Sequence, residues 1–259
     1  MRAFRPALAA FLTWGCADPD VVRKLGPYGT LDTSLPDTVD SGLEAPADRV
    51  TLAGIRFVHI AAGTFTMGSP ESEVGRVADE AQHTVTLSRD FYIGEVPVTR
   101  GQYRALSGAT PDEADACDDT CAVRRVSWHQ AAALANAVSR VEGLPECFTC
   151  DDTCVPVGNP YDCAGVRLPT EAEWEFAARA GTTGAFQTGW NLSEWDAENC
   201  DSDVVLDDGT PLQALAWYCG SSEMWVQPVG QLAPNAWGLY DLSGNVYEWL
   251  YDWAGDDHE

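Results

Sequence analysis

The sequence predicts one mixed domain in which strands come first, three short helices follow, and a long irregular stretch closes the chain. Period-two alternation in the first part and three helix starts written in the same local grammar carry that prediction. The third observation is the stretch beyond Gly181, where helical periodicity fades and Gly, Pro, Asn and Asp recur among tryptophans.

The strand-like segments are "FVHIAAGTFTMGS" and "HTVTLSRDFYIGEVPVT". In the second, Val85 and Leu87 alternate with Thr84, Thr86 and Ser88, the pattern of a half-buried strand. The helices announce themselves by their ends: Thr99, Gln102 and Gly108; then Ser127, Gln130 and Gly143; then Thr170, Glu173 and Gly181. In each, the hydroxyl accepts from the amide three residues on, the Gln or Glu side chain reaches back to the cap amide, and the glycine supplies a left-handed stop. Glu171, Glu173 and Glu175 fall in the third helix near its start, where carboxylates favour the helix dipole. The irregular remainder needs staples, for which disulfides and a bound cation are the two candidates.

Composition narrows the function. With 259 residues, 45% of them hydrophobic, and ten tryptophans, the chain has the material for a substantial core. A net charge of −25 excludes a phosphate backbone as partner, because such a surface releases no counterions from nucleic acid. Lys24 is the only lysine, so the main domain has no lysine for Schiff-base chemistry.

The opening "MRAFRPALAAFLTWGC" reads as a lipoprotein-type signal peptide over residues 1–16, with Cys16 the lipidated first residue of the mature chain. Thr13, where Leu is usual, and the bulky Trp14 depart from the common pattern. The expected location is therefore exported, as a membrane-anchored lipoprotein of a bacterial cell envelope that meets the membrane only through its lipid. Residues 17–49, rich in acids and poor in apolar periodicity, read as a flexible tether, and residues 50–259 as the folded domain. Removing Cys16 from the nine cysteines leaves Cys117, Cys121, Cys147, Cys150, Cys154, Cys163, Cys200 and Cys219, an even set that suits disulfides in an exported protein. Cys117 with Cys121 and Cys200 with Cys219 are natural local pairs. "CFTCDDTC" with Cys163 also has the spacing of a four-thiolate zinc site.

Near the end, "DLSGNVYE" places oxygen ligands at short spacing: the Asp241 and Glu248 carboxylates and the carbonyls around Gly244 and Val246. Calcium accepts such irregular oxygen sets; an Asx-type turn capping a strand is the other reading. His59, His83, His129 and His258 are scattered without ligand-like spacing. Trp190, Trp195, Trp217, Trp225 and Trp237 read either as core or as a ligand-binding surface.

Several long segments, in order, carry a resemblance: "FTMGS", "FYIGEVPVTRGQY", "VSWHQAAALANAVS", "RLPTEAEWEFAARAGT" and "PVGQLAPNAWGLYDLSGNVYEW". Together they resemble the formylglycine-generating enzyme, or sulfatase-modifying factor, family. The resemblance implies an α+β, C-type-lectin-like domain with little regular secondary structure and with calcium as a structural ion. It implies calcium ligands at Asp241 and Glu248 by side chain and at Gly244 and Val246 by carbonyl, and a second calcium loop that begins near Asn199. It also implies oxidation of a substrate cysteine to formylglycine, using oxygen and copper held by two cysteines. In the family that pair follows an Arg-Gly-Gly-Ser-Trp motif near a closing Gly-Phe-Arg strand, and neither motif occurs in this sequence. No catalytic residue is therefore carried over, copper enters only with that further segment, and an unpaired strand edge is expected. The expected partner is a protein or peptide substrate or a surface ligand. The alternative is a lectin-like, non-enzymatic ligand-binding surface protein.

Overall fold

The computed structural model describes residues 13–15, 48–76, 80–110, 117–193, 204–222 and 225–252. At its centre is a five-stranded sheet in the order β2-β3-β6-β1-β9. Strands β2 (Arg49–Leu52) and β3 (Ile55–Ile60) form a tight hairpin. Its two turn residues, Ala53 and Gly54, both have positive φ, 47° and 80°, as a primed hairpin turn requires. β3 pairs with β6 (Phe91–Gly94), which is buried throughout. A second sheet pairs β4 (Gly63–Met67) with β5 (His83–Leu87), and the alternation expected of the latter appears as a half-buried Val85 and a buried Leu87.

The sheet also contains a strand that the sequence does not announce. β1 (Thr13–Gly15) pairs antiparallel with β6 on one side and with β9 (Val166–Arg167) on the other. These residues read in sequence as the end of an export leader. Cys16 and residues 17–47 of the tether lie outside the described residues.

Apolar clusters cover both faces of the sheet. On one, Phe57, Tyr92 and Val166 join Leu134, Ala135 and Val138. On the other, Val58, Ile60, Phe91 and Ile93 meet Phe176, Ala177, Leu239 and Leu242. Helix α1 (Arg100–Ser107), helix α2 (Trp128–Val141) and helix α3 (Glu171–Arg179) each start with a complete capping box on Thr99, Ser127 and Thr170. α1 stops on Gly108 at φ 71°. α2 stops one residue past its cap: Gly143 N–H reaches Arg140 O at 3.3 Å and Leu144 N–H reaches Ser139 O at 2.8 Å, the paired bonds of a Schellman ending. α3 differs from expectation, because the left-handed closing residue is Ala180 at φ 45°, with Gly181 following at φ 86°.

Beyond α3 the described chain is irregular, apart from short turns of helix such as α4 (Cys219–Ser222). A separate apolar cluster of Leu192, Leu206, Leu212, Leu215 and Ala216 supports this part. Disulfides join Cys117 to Cys121, Cys147 to Cys163 and Cys150 to Cys154. The last of these closes the hairpin of β7 (Phe148–Cys150) and β8 (Cys154–Pro156). The four thiols with zinc-like spacing are thus consumed in pairs. Cys219 is disulfide-bonded too, while Cys200 lies outside the described residues.

Two arginines clamp α3. Arg167, on β9, donates through both terminal nitrogens to the two Glu173 oxygens at 2.7 Å, and the two side chains are only 1% and 2% exposed. The same carboxylate accepts the Thr170 amide at 2.9 Å, so one residue serves both the cap and the ion pair. At the other end, Arg179 holds Glu175 at 2.8 Å and the Gly68 carbonyl at 2.9 Å, tying the loop after β4 to the helix. Glu73 lies in this charged group with one buried carboxylate oxygen lacking a hydrogen bond. Burial pushes its carboxyl up; Arg179 opposes that, and Glu80 and Glu175 add to it.

Glu173→Gln should cost about 3–5 kcal/mol, because it strands a buried guanidinium. Replacing Arg167 and Glu173 together by Met should recover part of that loss in urea midpoints. Glu73 gives the opposite sign. A carboxyl that titrates above its ordinary 4.5 in the folded chain contributes most below 4.5 and loses that contribution as pH rises through the raised value. Glu73→Gln should therefore match or exceed the parent at neutral pH, an advantage that vanishes in acid. Parallel stability–pH profiles for the two proteins would refute this.

Candidate metal centre

The turn from Asp241 to Glu248 is positioned by side-chain amides standing in for a backbone ladder. Asn235 accepts the amides of Trp237 and Leu239, each at 3.0 Å, and donates to the carbonyls of Ala177 (2.7 Å) and Ala178 (3.2 Å) at the end of α3. Asn245 pairs with the Gln227 backbone as a strand would, accepting its N–H at 2.9 Å and donating to its carbonyl at 3.2 Å. Between them the backbone twists through two left-handed non-glycine residues, Asp241 at φ 57° and Asn245 at φ 65°. Gly244 has no substitute: at φ 120° its α-carbon lies so close to Trp217 that a Cβ would sit 2.2 Å from the Trp217 carbonyl oxygen.

Four residues were expected to bind the ion. The carboxylate of Asp241 is buried and accepts the Gly230 amide at 2.6 Å. Glu248 accepts a hydrogen bond from the Trp174 indole. The Gly244 carbonyl takes the Val246 amide at 2.8 Å, which leaves its second lone pair. Burial raises the Asp241 carboxyl, with its donors Gly230 and Asn245 pulling the other way. It raises Glu248 well above the usual carboxylate range, and the nearby Asp241 adds to the shift while the indole opposes it. Among the described residues no arginine, lysine or histidine pairs with either acid. Asp241 is buried and Glu248 half-buried, and two neighbouring acids so placed with no positive partner suit a hard divalent cation with oxygen preference. Asn199, the start of the second expected calcium loop, lies outside the described residues.

After Glu248 the chain runs as a strap over the helix starts. The Trp249 indole donates to Val126 O at 2.8 Å, the Trp128 indole donates to Leu250 O at 2.7 Å, and Asp252 accepts the Glu171 amide at 2.8 Å. Trp174 and Asn235 were not singled out in the sequence. A tryptophan inside a capped helix and an asparagine after a proline were the available signals.

The remaining candidates disperse. Trp190 and Trp225 are 47% and 50% exposed, Trp237 packs against Phe176, and Trp195 lies outside the described residues. His59 bonds Asp90 at 3.0 Å, and His129 accepts the Cys154 amide at 3.1 Å. Trp174 and Arg179 line a small cavity of about 190 Å³, while Tyr161, Tyr251 and Asp252 line an open cleft of about 590 Å³.

Comparisons with known proteins agree with this architecture. Residues 44–259 match the family described as the sulfatase-modifying factor enzyme 1-like domain. "Chaperone protein LppX" of Paenibacillus barcinonensis is 32% identical over 65% of this chain and 64% of its own length. The formylglycine-generating enzyme of Streptomyces coelicolor is 32% identical over 76% of this chain and 68% of its own. The chain spans less than two thirds of several of these relatives, including 29% of the formylglycine-generating enzyme of Thermomonospora curvata. Among solved structures, Treponema denticola variable protein 1 superposes with a TM-score of 0.58 at 29% identity, covering 81% of this chain and 78% of that one. PvdO from Pseudomonas aeruginosa does so with 0.56 at 26%, covering 76% and 70%. With residues 44–259 matched by the family's model, the chain belongs to the FGE-sulfatase family of sulfatase-modifying-factor domains.

Proposed function

We propose that this chain is an exported, lipid-anchored member of the family that binds protein or peptide ligands on a calcium-stabilised irregular surface, rather than oxidising them by itself. One observation carries the reading: every described mature cysteine is engaged in a disulfide. Copper in the family's chemistry needs a pair of thiolates, and the described residues do not fit it. Disulfides suit an oxidising, exported location. A 32% identical relative bears the name of a chaperone, which supports a role in protein binding. Trp190 and Trp225 supply exposed aromatic surface for such contacts.

The second reading is formylglycine generation, favoured by 32% identity to the Streptomyces coelicolor enzyme over 223 residues. A single assay separates the two. The full chain is incubated with copper(I), oxygen and a cysteine-containing sulfatase peptide, and the peptide is followed by mass and tryptophan fluorescence. Fluorescence quenching with the thiol retained is expected; conversion of the thiol to an aldehyde overturns the binding reading. A lectin-like role would instead show as quenching by glycans and not by peptides.

Calcium at Asp241 and Glu248, assisted by the carbonyls of Gly244 and Val246, would neutralise the two neighbouring acids and so act on stability. Saturating calcium should raise the melting temperature by about 5–10 °C over chelator. Glu248→Gln should lose most of that increment. Equal melting in calcium and chelator would remove the ion from this centre.

A further inference from the structure

The β7–β8 hairpin is closed by a disulfide whose two sulfurs have unlike surroundings. Asn136, on α2, is buried, and the Phe148 backbone holds its side chain: Oδ1 accepts the Phe148 N–H at 3.2 Å and Nδ2 donates to the Phe148 carbonyl at 2.7 Å. That pairing fixes which end of the amide is the nitrogen, and the same Nδ2 lies 3.6 Å from the Cys150 sulfur. The Cys154 sulfur instead lies 3.2 Å from the His129 carbonyl oxygen. Once reduced, the first sulfur faces a donor, which favours a thiolate, and the second faces an acceptor, which favours a thiol. Exposure follows the same division. Cys150 is partly exposed beside the exposed turn residues Asp151, Asp152 and Thr153, whereas Cys154 is buried.

The hairpin does not depend on this bond. Phe148 pairs with Pro156 and Thr149 with Val155, the Asp151 amide donates to the Thr153 carbonyl at 3.0 Å, and Asn136 grips Phe148. So short a loop also gains least from a cross-link in the chain-entropy account. Cys147–Cys163, in contrast, joins positions 16 apart. The dithiol form of Cys150 and Cys154 therefore keeps the hairpin and finds hydrogen-bond partners for both sulfurs, and stabilising the reduced form makes a disulfide a better oxidant.

We propose that Cys150–Cys154 is an exchange-active disulfide that oxidises paired cysteine thiols of a polypeptide. A substrate thiolate attacks the Cys150 sulfur, forming a mixed disulfide and expelling Cys154, which takes up a proton and donates to the His129 carbonyl. The second substrate thiolate attacks its neighbour's sulfur in the mixed disulfide, the substrate disulfide forms, and Cys150 leaves as a thiolate beside Asn136. The two electrons pass to Cys150 and Cys154; one proton ends on Cys154 and the other is released to water. A small-molecule disulfide returns the pair to the oxidised form by the reverse sequence. Asp151 and Asp152 on the turn favour thiols flanked by basic residues. This activity goes beyond peptide binding, uses no metal and forms no aldehyde.

The test uses the full chain and a reduced, lysine-flanked peptide with two cysteines, without metal. By mass, one peptide disulfide per chain is expected, with Cys150 and Cys154 becoming the pair that alkylates. Cys150→Ser with Cys154→Ser should abolish the transfer while circular dichroism shows the fold retained. Cys154→Ser alone, mixed with the oxidised peptide, should trap a mixed disulfide mapped to Cys150. In the reduced parent at pH 7, iodoacetamide should label Cys150 at least about tenfold faster than Cys154. These last two readouts stand even where the double variant fails to fold. A peptide that stays reduced, an adduct on another cysteine, or equal labelling of the two thiols overturns the proposal. So does reduction of Cys147–Cys163 before Cys150–Cys154 as dithiothreitol is raised. A chain that quenches with the sulfatase peptide yet leaves paired thiols reduced loses this proposal and keeps the binding reading; oxidation of the pair without quenching does the reverse.

Discussion

The bidentate pair between Arg167 and Glu173 fixes the relation between the sheet and everything packed on its C-terminal side. β9 is only two residues long and could not hold a register by backbone pairing alone. Arg167 supplies the missing constraint: it donates to Glu173, to the Pro160 carbonyl at 2.9 Å and to the Leu168 carbonyl at 3.0 Å. Because Glu173 is also the N3 residue of the capping box, the position of the guanidinium sets the first turn of α3. A buried ion pair adds little net stability, but it penalises any arrangement that separates its members. Here that penalty acts as a selector of geometry.

From α3 the constraint propagates by single contacts. Trp174 carries it to Glu248, the Ala177 and Ala178 carbonyls carry it to Asn235, and the Glu171 amide carries it to Asp252. The candidate metal centre therefore stands at the far end of a chain of directional bonds that begins on the sheet. Its two acids are brought together by packing, against their own electrostatic preference, which is the arrangement in which a cation changes stability most.

Features written in neighbouring residues could be read from the sequence. The capping boxes on Thr99, Ser127 and Thr170 involve atoms three residues apart, and all three formed. The Cys117–Cys121 pair and the alternation of β5 are equally local. What could not be read depends on partners distant in sequence or on segments too short to show a period. β9 offers two residues, β1 offers three inside a stretch that reads as a leader, and Arg167 lies six residues before Glu173, outside the helix that contains it. The acids of the candidate centre were visible as oxygen donors. Their hydrogen-bond donors were not, since Trp174 and Gly230 lie 74 and 11 residues away from their respective partners.

The abundance of tryptophan has a physical reading that separates core from surface. Irregular chain buries carbonyls that no ladder satisfies, and each such carbonyl needs a donor. An indole contributes one N–H on a large apolar body, so it can fill space and cap a carbonyl in the same step. Trp128 and Trp249 do this reciprocally: Trp128 reaches the strap at Leu250, and Trp249, on the strap, reaches the helix approach at Val126. Asn235 and Asn245 perform the same service with amides. Trp190 and Trp225 instead leave about half their surface to solvent. Half-buried tryptophans of the first kind are explained by the fold; Trp190 and Trp225, like the exposed Val205 and Tyr247 of the same irregular half, are not.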